Sequence, residues 1–226
     1  MKPYVICHMM SSVDGRTLTK NWGRVKGMGA YEETGNTYRA TAWICGRTTM
    51  ERDFASSNPL KLRRGGKAIP KTDHLASLDA RSFAIAVDKD GKLNWDKSSI
   101  GGDHLVVVLN EGVSSAYLGH LRDRGISYIF GGRKELDLKL VLEKLWEGFF
   151  IRKLLLEGGG HLNGSFLKAG LIDELSVLHL PVADCNIGSP SIFEDSDGNK
   201  VPVSRLKLLK VKKLEHDVLW LRYKLG

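Results

Sequence analysis

The sequence predicts an α/β protein with a mostly parallel central sheet flanked by helices and with antiparallel strands at the C-terminus. Three observations predict it. Short β-branched apolar runs alternate with amphipathic helical stretches along most of the chain. Such alternation requires crossover connections, and these pair strands in parallel. The last two apolar runs have almost nothing between them, so they pair antiparallel.

The elements follow in order. Val5 to Met9 is the first strand, Tyr31 to Ala42 a helix and Trp43 to Cys45 a short buried strand. Thr48 to Asp53 starts a second helix, with Thr48 and Glu51 spaced as a capping box. Ala55 to Leu78, rich in Ser, Pro, Gly, Lys and Arg, is a long loop. Ser82 to Val87 and Leu105 to Leu109 are strands separated by the turn signals Asp88 to Lys92 and Gly101-Gly102. Val113 to Asp123 is a helix and Ser127 to Phe130 a strand ending at Gly131-Gly132. Leu136 to Trp146 is a helix with Leu138, Val141, Leu142 and Leu145 on one face. Lys153 to Leu156 is a strand running through Glu157 and three glycines into a helix, His161 to Ala169, that Gly170 stops. Leu175 to Leu180, Leu206 to Leu214 and Val218 to Tyr223 are the last strands. No linker separates two cores, so residues 1–226 are expected to form a single domain.

Composition bounds the function. The chain is 42% hydrophobic and 27% charged, which is a globular balance. No apolar run approaches the roughly 20 residues that span a bilayer, and the apolar stretch after Met1 to Tyr4 is too short for a signal peptide. Cys7, Cys45 and Cys185 are too few and too scattered for a disulfide framework, and suit a reducing cytosol. A formal charge of +8 suits phosphorylated small molecules. The basic residues lack aromatic-interleaved repeats, so nucleic acid is the weaker reading, and without a bilayer-spanning run no membrane is the expected partner.

Three stretches carry candidate chemistry. Leu154 to Leu171 runs from a buried strand through Gly158, Gly159 and Gly160 into a helix. Glycines permit close backbone approach, and a helix start offers free N–H groups to a pyrophosphate. The spacing is not that of the Rossmann fingerprint, whose third glycine would fall on Asn163. Cys45 to Asp53 also carries a strand into a helix; Arg47 can grip a phosphate in bidentate fashion and Thr49 can donate a hydroxyl. Met9 to Thr17 follows the first strand. Ligands of open α/β sheets gather beyond the carboxyl ends of strands, so all three stretches can converge.

In this order, Met10-Ser11-Ser12-Val13-Asp14-Gly15-Arg16, Arg39-Ala40, Gly46 to Asp53, and Glu157 to Gly170 continuing into Asp173-Glu174-Leu175 resemble the NADPH-dependent pyrimidine reductase family of riboflavin biosynthesis. The resemblance covers nearly the whole chain. It implies a dihydrofolate-reductase-like fold, an oxidoreductase, NADPH as cofactor and a homodimer. It implies that Met10, Gly46, Arg47, Thr48, Thr49, Asp53, Gly158, Gly159, Gly160, His161, Leu162 and Asn163 bind the cofactor, with Arg47 at the adenosine 2′-phosphate. Ser12, Arg39 and Glu157 would contact the substrate, a phosphoribosylamino-pyrimidine reduced at C1′ of its opened sugar. Asp14 would relay the proton, through a pKa raised near an apolar nicotinamide pocket.

The sequence departs from that family in places. These residues contain no H-x-E or P-C-x-x-C pattern, so zinc deamination is not expected of them. Asp53 is followed by Phe54-Ala55-Ser56 instead of the proline, leucine and arginine positions that help hold the substrate phosphate; Arg63 or Arg64 is the candidate replacement. Arg39 also stands closer to Thr49 than in the bifunctional members. A pteridine or dihydrofolate-type reductase, or a non-catalytic NADPH-binding paralogue, are the alternatives. Cys7-His8 lacks a partner pair at ligand spacing, and Asp195 to Asn199 has the wrong spacing for a calcium loop, so no metal is expected. His161 is expected to contribute its backbone. Trp22 and Trp95 are candidates to cover a planar ring, and the cluster from Lys61 to Lys67 is a candidate phosphate clamp.

Overall fold

The computed structural model describes residues 1–62, 68–195 and 203–226. Arg63, Arg64 and most of the Lys61 to Lys67 cluster lie outside the described residues, as does most of the Asp195 to Asn199 stretch. The described chain forms two compact units. One comprises Met1–Pro3 with Thr41–Arg152, the other Tyr4–Ala40 with Lys153–Gly226.

The first unit holds β2 (Ala42–Gly46), α2 (Arg47–Asp53), β3 (Phe83–Val87), β4 (Ser99–Ile100), β5 (Asp103–Leu109), α3 (Ser115–Arg122), β6 (Ser127–Phe130) and α4 (Leu138–Gly148). β2, β3, β5 and β6 pair in parallel in that order, and the two-residue β4 pairs antiparallel with the start of β5. The strands are apolar on both faces, as parallel strands covered by helices must be. α4 buries Val141, Leu142 and Leu145, the face its spacing predicts. Its start is capped by Asp137, whose carboxylate accepts from the Lys139 and Leu140 amides. Trp95 is 2% exposed, within the apolar core beside Tyr117 and Leu93, so it does not cover a ring; it packs.

The second unit holds β1 (Tyr4–Ser11), α1 (Ala30–Asn36), β7 (Lys153–Leu156), α5 (Gly160–Lys168), β8 (Glu174–His179), β9 (Leu206–Lys213) and β10 (Leu219–Leu225). β7, β1 and β8 are parallel; β10 and then β9 add antiparallel beyond β8. The β9–β10 register shifts between Arg222 and Tyr223. On one face the core gathers Ile6, Tyr38, Leu178, Leu180 and Trp220. His8 is fully buried there. Its Nε2 lies 3.0 Å from the Tyr31 carbonyl and its Nδ1 2.9 Å from Ser176 Oγ, which also accepts from Trp220 Nε1. Burial pushes its pKa down to about 4. His8 is thus a core residue, and among the described residues no cluster could hold a metal.

Two predicted elements differ in extent. The helix predicted over Tyr31 to Ala42 ends at Asn36, because Arg39 takes a left-handed backbone (φ 51°) and turns the chain into β2. α2 begins at Arg47 with Gly46 as its N-cap, so Thr48 is inside the helix and makes no capping bond. No described helix is long and apolar enough to cross a membrane.

Candidate active site

The carboxyl ends of β1, β7 and β8 lie side by side in the second unit, and two of the three candidate stretches meet there. After β1 the chain makes a tight turn. The Gly15 amide donates to the Ser12 carbonyl at 3.0 Å and the Arg16 amide to Ser12 Oγ at 2.9 Å; Gly15 supplies the positive φ of 80°. Ser12 is fully buried, Met10 is half-buried on β1 and Glu157 half-buried after β7.

Asp14 points away from this turn toward residues 184 and 185. Its carboxylate accepts from the backbone amides of Asp184 at 2.9 Å and Cys185 at 3.0 Å. The Asp184 amide, followed by the Ser12 hydroxyl and the Cys185 amide, holds its pKa well below the usual carboxylate range. This corrects the raised pKa expected of it. The side chain is exposed and met by N–H donors, not desolvated in an apolar pocket, and both conditions favour its anionic form.

At the glycine stretch, Gly158 has φ 97°, the Gly158–Gly159 peptide is cis, and Gly159 is the N-cap of α5. A Cβ on Gly158 would lie 3.2 Å from Met9 Cε, so the turn sits directly on β1. The first amides of α5, on Gly160, His161 and Leu162, have no acceptor within the helix. Asn163 is fully buried; its Nδ2 donates to the Ile192 carbonyl at 2.8 Å, and its Oδ1 has no partner among the described residues. A helix start and an unmatched buried acceptor beside it suit a polar ligand here.

The sequence suggested that the glycines make room for a ligand. Part of that room is taken by the chain itself. A Cβ on Gly160 would come within 2.6 Å of the Ser191 carbonyl, and one on Gly164 would fall on the Glu194 backbone. Residues 182 to 194 form a strap tied at both ends. The Glu194 amide donates to the Gly160 carbonyl at 3.0 Å, and Glu194 Oε2 lies 3.6 Å from His161 Nε2. At its other end the Val13 amide donates to the Val182 carbonyl at 2.8 Å, and between the ends Arg16 Nη1 donates to the Ser189 carbonyl at 2.8 Å and the Thr17 amide to the Pro190 carbonyl at 3.0 Å. Trp22 Nε1 donates to Asp184 Oδ2 at 3.0 Å, so Trp22 is an anchor of the strap.

Arg39 is not brought to this place. Its neighbour Tyr38 donates its hydroxyl to Glu174 Oε1 at 2.6 Å and accepts at its carbonyl from Lys153 Nζ at 2.9 Å. Glu174 and Lys153 open β8 and β7, so Arg39 stands at the amino ends of the strands, opposite to Ser12 and Gly158. The reason is visible in the chain order: a residue between a helix and its following parallel strand lies at the amino end. Sequence reasoning also missed His179, which closes β8, and the strap. The signal for His179 was its position as the last polar residue of a predicted strand.

The third stretch belongs to the first unit. Arg47 opens α2 and donates from Nη1 to Glu51 Oε2 at 2.9 Å, one turn on. Asp53 accepts two bonds from Arg52, at 2.7 and 2.6 Å. Thr48 is exposed and Thr49 half-buried, beside the half-buried cap Gly46. A cavity of about 640 Å³ lies elsewhere in the second unit, between α1 and the β9–β10 hairpin, and it touches none of the predicted residues.

Parallel strands ending in these turns, with an antiparallel C-terminal pair, define an α/β protein of the dihydrofolate-reductase-like fold. The chain belongs to the RibD C-terminal domain family, whose model matches residues 3–220. A pyrimidine reductase-like protein from Corynebacterium diphtheriae is similar over 99% of this chain and 92% of its own, at 18% identity and a TM-score of 0.72. RibD of Acinetobacter baumannii is similar over all of this chain and 58% of its own, at 23% identity and a TM-score of 0.67. In sequence, a Methanothermobacter thermautotrophicus 2,5-diamino-6-ribosylamino-4(3H)-pyrimidinone 5′-phosphate reductase is 38% identical over 77 residues. That match spans 34% of this chain and 35% of the relative.

Proposed function

We propose that the chain is an NADPH-dependent reductase of a phosphoribosylamino-pyrimidine, adding hydride to C1′ of the opened ribosyl chain as in riboflavin biosynthesis. The observation that carries this reading is the family match over residues 3–220, which takes in every stretch discussed above. The name of the curated relative supports both the pyrimidine and the phosphate of the substrate. When bound, NADPH supplies the hydride, and the protein supplies orientation and charge.

Gly158, Gly159, Gly160, His161, Leu162 and Asn163 would offer the α5 start to a pyrophosphate, with Met10 beneath. Gly46, Arg47, Thr48, Thr49 and Asp53 would serve the 2′-phosphate end, Arg47 exchanging Glu51 for phosphate. Ser12 and Glu157 would hold the substrate. Asp14 would act as a fixed anion favouring a cationic, imine-like acceptor. Arg39 is left out of the substrate contacts. Residues 1–226 are read as one reductase domain in which both units serve one activity. Cys7 and Cys45 are buried and outside any disulfide, which supports a cytoplasmic setting. The exposed Leu208, Leu209 and Val211 of β9 support a homodimer.

NADPH binding and oxidation by the purified protein, with and without the phosphoribosylamino-pyrimidine and with NADH as control, test the reading. Substrate-dependent oxidation is expected. Turnover of a bare pterin without a sugar phosphate would replace it with a pteridine reductase, and no NADPH binding would end it.

A further inference from the structure

We propose that His179 is a substrate-binding residue that presents an Nε2–H to a carbonyl oxygen of the pyrimidine substrate, with Ser11 as the positioning residue that fixes its tautomer. The substrate role rests on the proposed function; the tautomer rests on geometry alone.

β1 and β8 run in parallel with Ser11 opposite His179, the last residue of each strand. Their side chains share a sheet face, and Ser11 Oγ lies 2.9 Å from His179 Nδ1. Ser11 is fully buried. A buried hydroxyl must place its hydrogen on an acceptor, and among the described residues Nδ1 is the only partner Ser11 Oγ has. Ser11 therefore donates to Nδ1. The one competing acceptor for a proton on Nδ1 is the Ser12 carbonyl, 3.5 Å away, beyond an ordinary hydrogen bond and already accepting from the Gly15 amide at 3.0 Å. In the neutral ring the proton then sits on Nε2.

That nitrogen has no protein partner among the described residues, and His179 is half-buried at the strand end beside the Ser12–Arg16 turn. The Leu180 amide donates to the Ser11 carbonyl at 2.9 Å, which holds the two strand ends in register. The result is a single aimed donor on a rigid strand, a group that recognises an acceptor and rejects an analogue lacking one. A pyrimidinone offers carbonyl oxygens of that kind. Asp14, an anion, offers no such donor, and no other predicted substrate residue carries a ring N–H.

The test has two arms. Long-range ¹H–¹⁵N spectra at pH 8 are expected to show His179 protonated at Nε2. Ser11→Ala should convert it to a mixture of tautomers, and Ser11→Thr should restore the single form. In the activity arm, His179→Phe should raise KM for the pyrimidine about 3- to 10-fold and leave KM for NADPH unchanged. His179→Gln, which keeps a donor, should recover most of that loss; thermal melts of both variants establish that they fold. A wild-type Nδ1–H tautomer overturns the proposal, as does an unchanged pyrimidine KM in a folded His179→Phe. If the wild type turns over no pyrimidine, the proposed function and the substrate role fall together, and the spectra still decide the tautomer.

Discussion

The turn after β1 and the turn into α2 both follow strand carboxyl ends, and both carry acids beside bases, yet they hold their charges differently. In the first, Asp14 is gripped by two backbone amides of the strap. In the second, Glu51 and Asp53 are held by Arg47 and Arg52 from their own helix, in exposed pairs. Backbone donors cannot swing away, whereas exposed guanidinium groups exchange partners at little cost. The first region therefore provides fixed electrostatics, and the second provides charges that a ligand can recruit.

Acid should break the first region by the largest margin, through the strands beneath it. His8 is buried neutral, with its pKa pushed down to about 4 from an unfolded value of 6.5. Its folded pKa is depressed, so the unfolded chain binds the proton first. The contribution is fully present above pH 6.5 and is lost as pH falls through 6.5 toward 4, about 3 kcal/mol in all. Urea unfolding at pH 7.5, 5.5 and 4.5 should show that decline, and a His8→Gln variant should show a shallower one. An equal slope in the variant would remove His8 from the account.

The strap supplies the next effect. In a helix interior, Gly→Ala ordinarily stabilises by about 0.5–1 kcal/mol. Gly119, within α3, meets only Ile69 Cδ1 at 3.8 Å, and Gly119→Ala should follow that rule. Gly164, within α5, faces the Glu194 backbone, and Gly164→Ala should destabilise by about 2 kcal/mol instead. Melting curves of the two variants should move in opposite directions. If both rise, the strap is not seated on α5.

The smallest stability effect belongs to α2. Arg47→Ala and Glu51→Gln should each change stability by less than about 0.5 kcal/mol, because the pair is exposed. Their binding effects should separate sharply. Arg47→Ala should weaken NADPH about ten-fold with little change for NADH, and Glu51→Gln should tighten NADPH alone. Equal changes for both dinucleotides would show that Arg47 does not meet the 2′-phosphate.

Much of this arrangement was legible in the sequence. Apolar runs gave the strands, and glycines at strand ends marked Ser12–Arg16 and Gly158–Gly160 as places where backbone meets something. What the glycines meet was not legible: Gly160 and Gly164 accommodate residues more than 25 positions onward, a contact that only the fold creates. The pKa of Asp14 was misread for the same reason, since its partners Asp184 and Cys185 are remote in sequence. The position of Arg39 at the amino ends of the strands was contained in the chain order. Local pattern names a motif, but which end of a strand it occupies depends on the connection before it.

The register shift in the β9–β10 hairpin has a colloidal consequence. It places Leu206, Leu208 and Val211 opposite Leu225, Tyr223 and Leu221 on one face. Lys207, Lys210 and Lys212 fall opposite Lys224, Arg222 and Trp220 on the other. β9 is the last strand in its order among the described residues, a free edge of the kind that templates aggregation. With Lys213, four lysines line that edge, so two such strands laid side by side would repel. The apolar face remains open to a partner, while growth of the sheet into a fibre is opposed by charge.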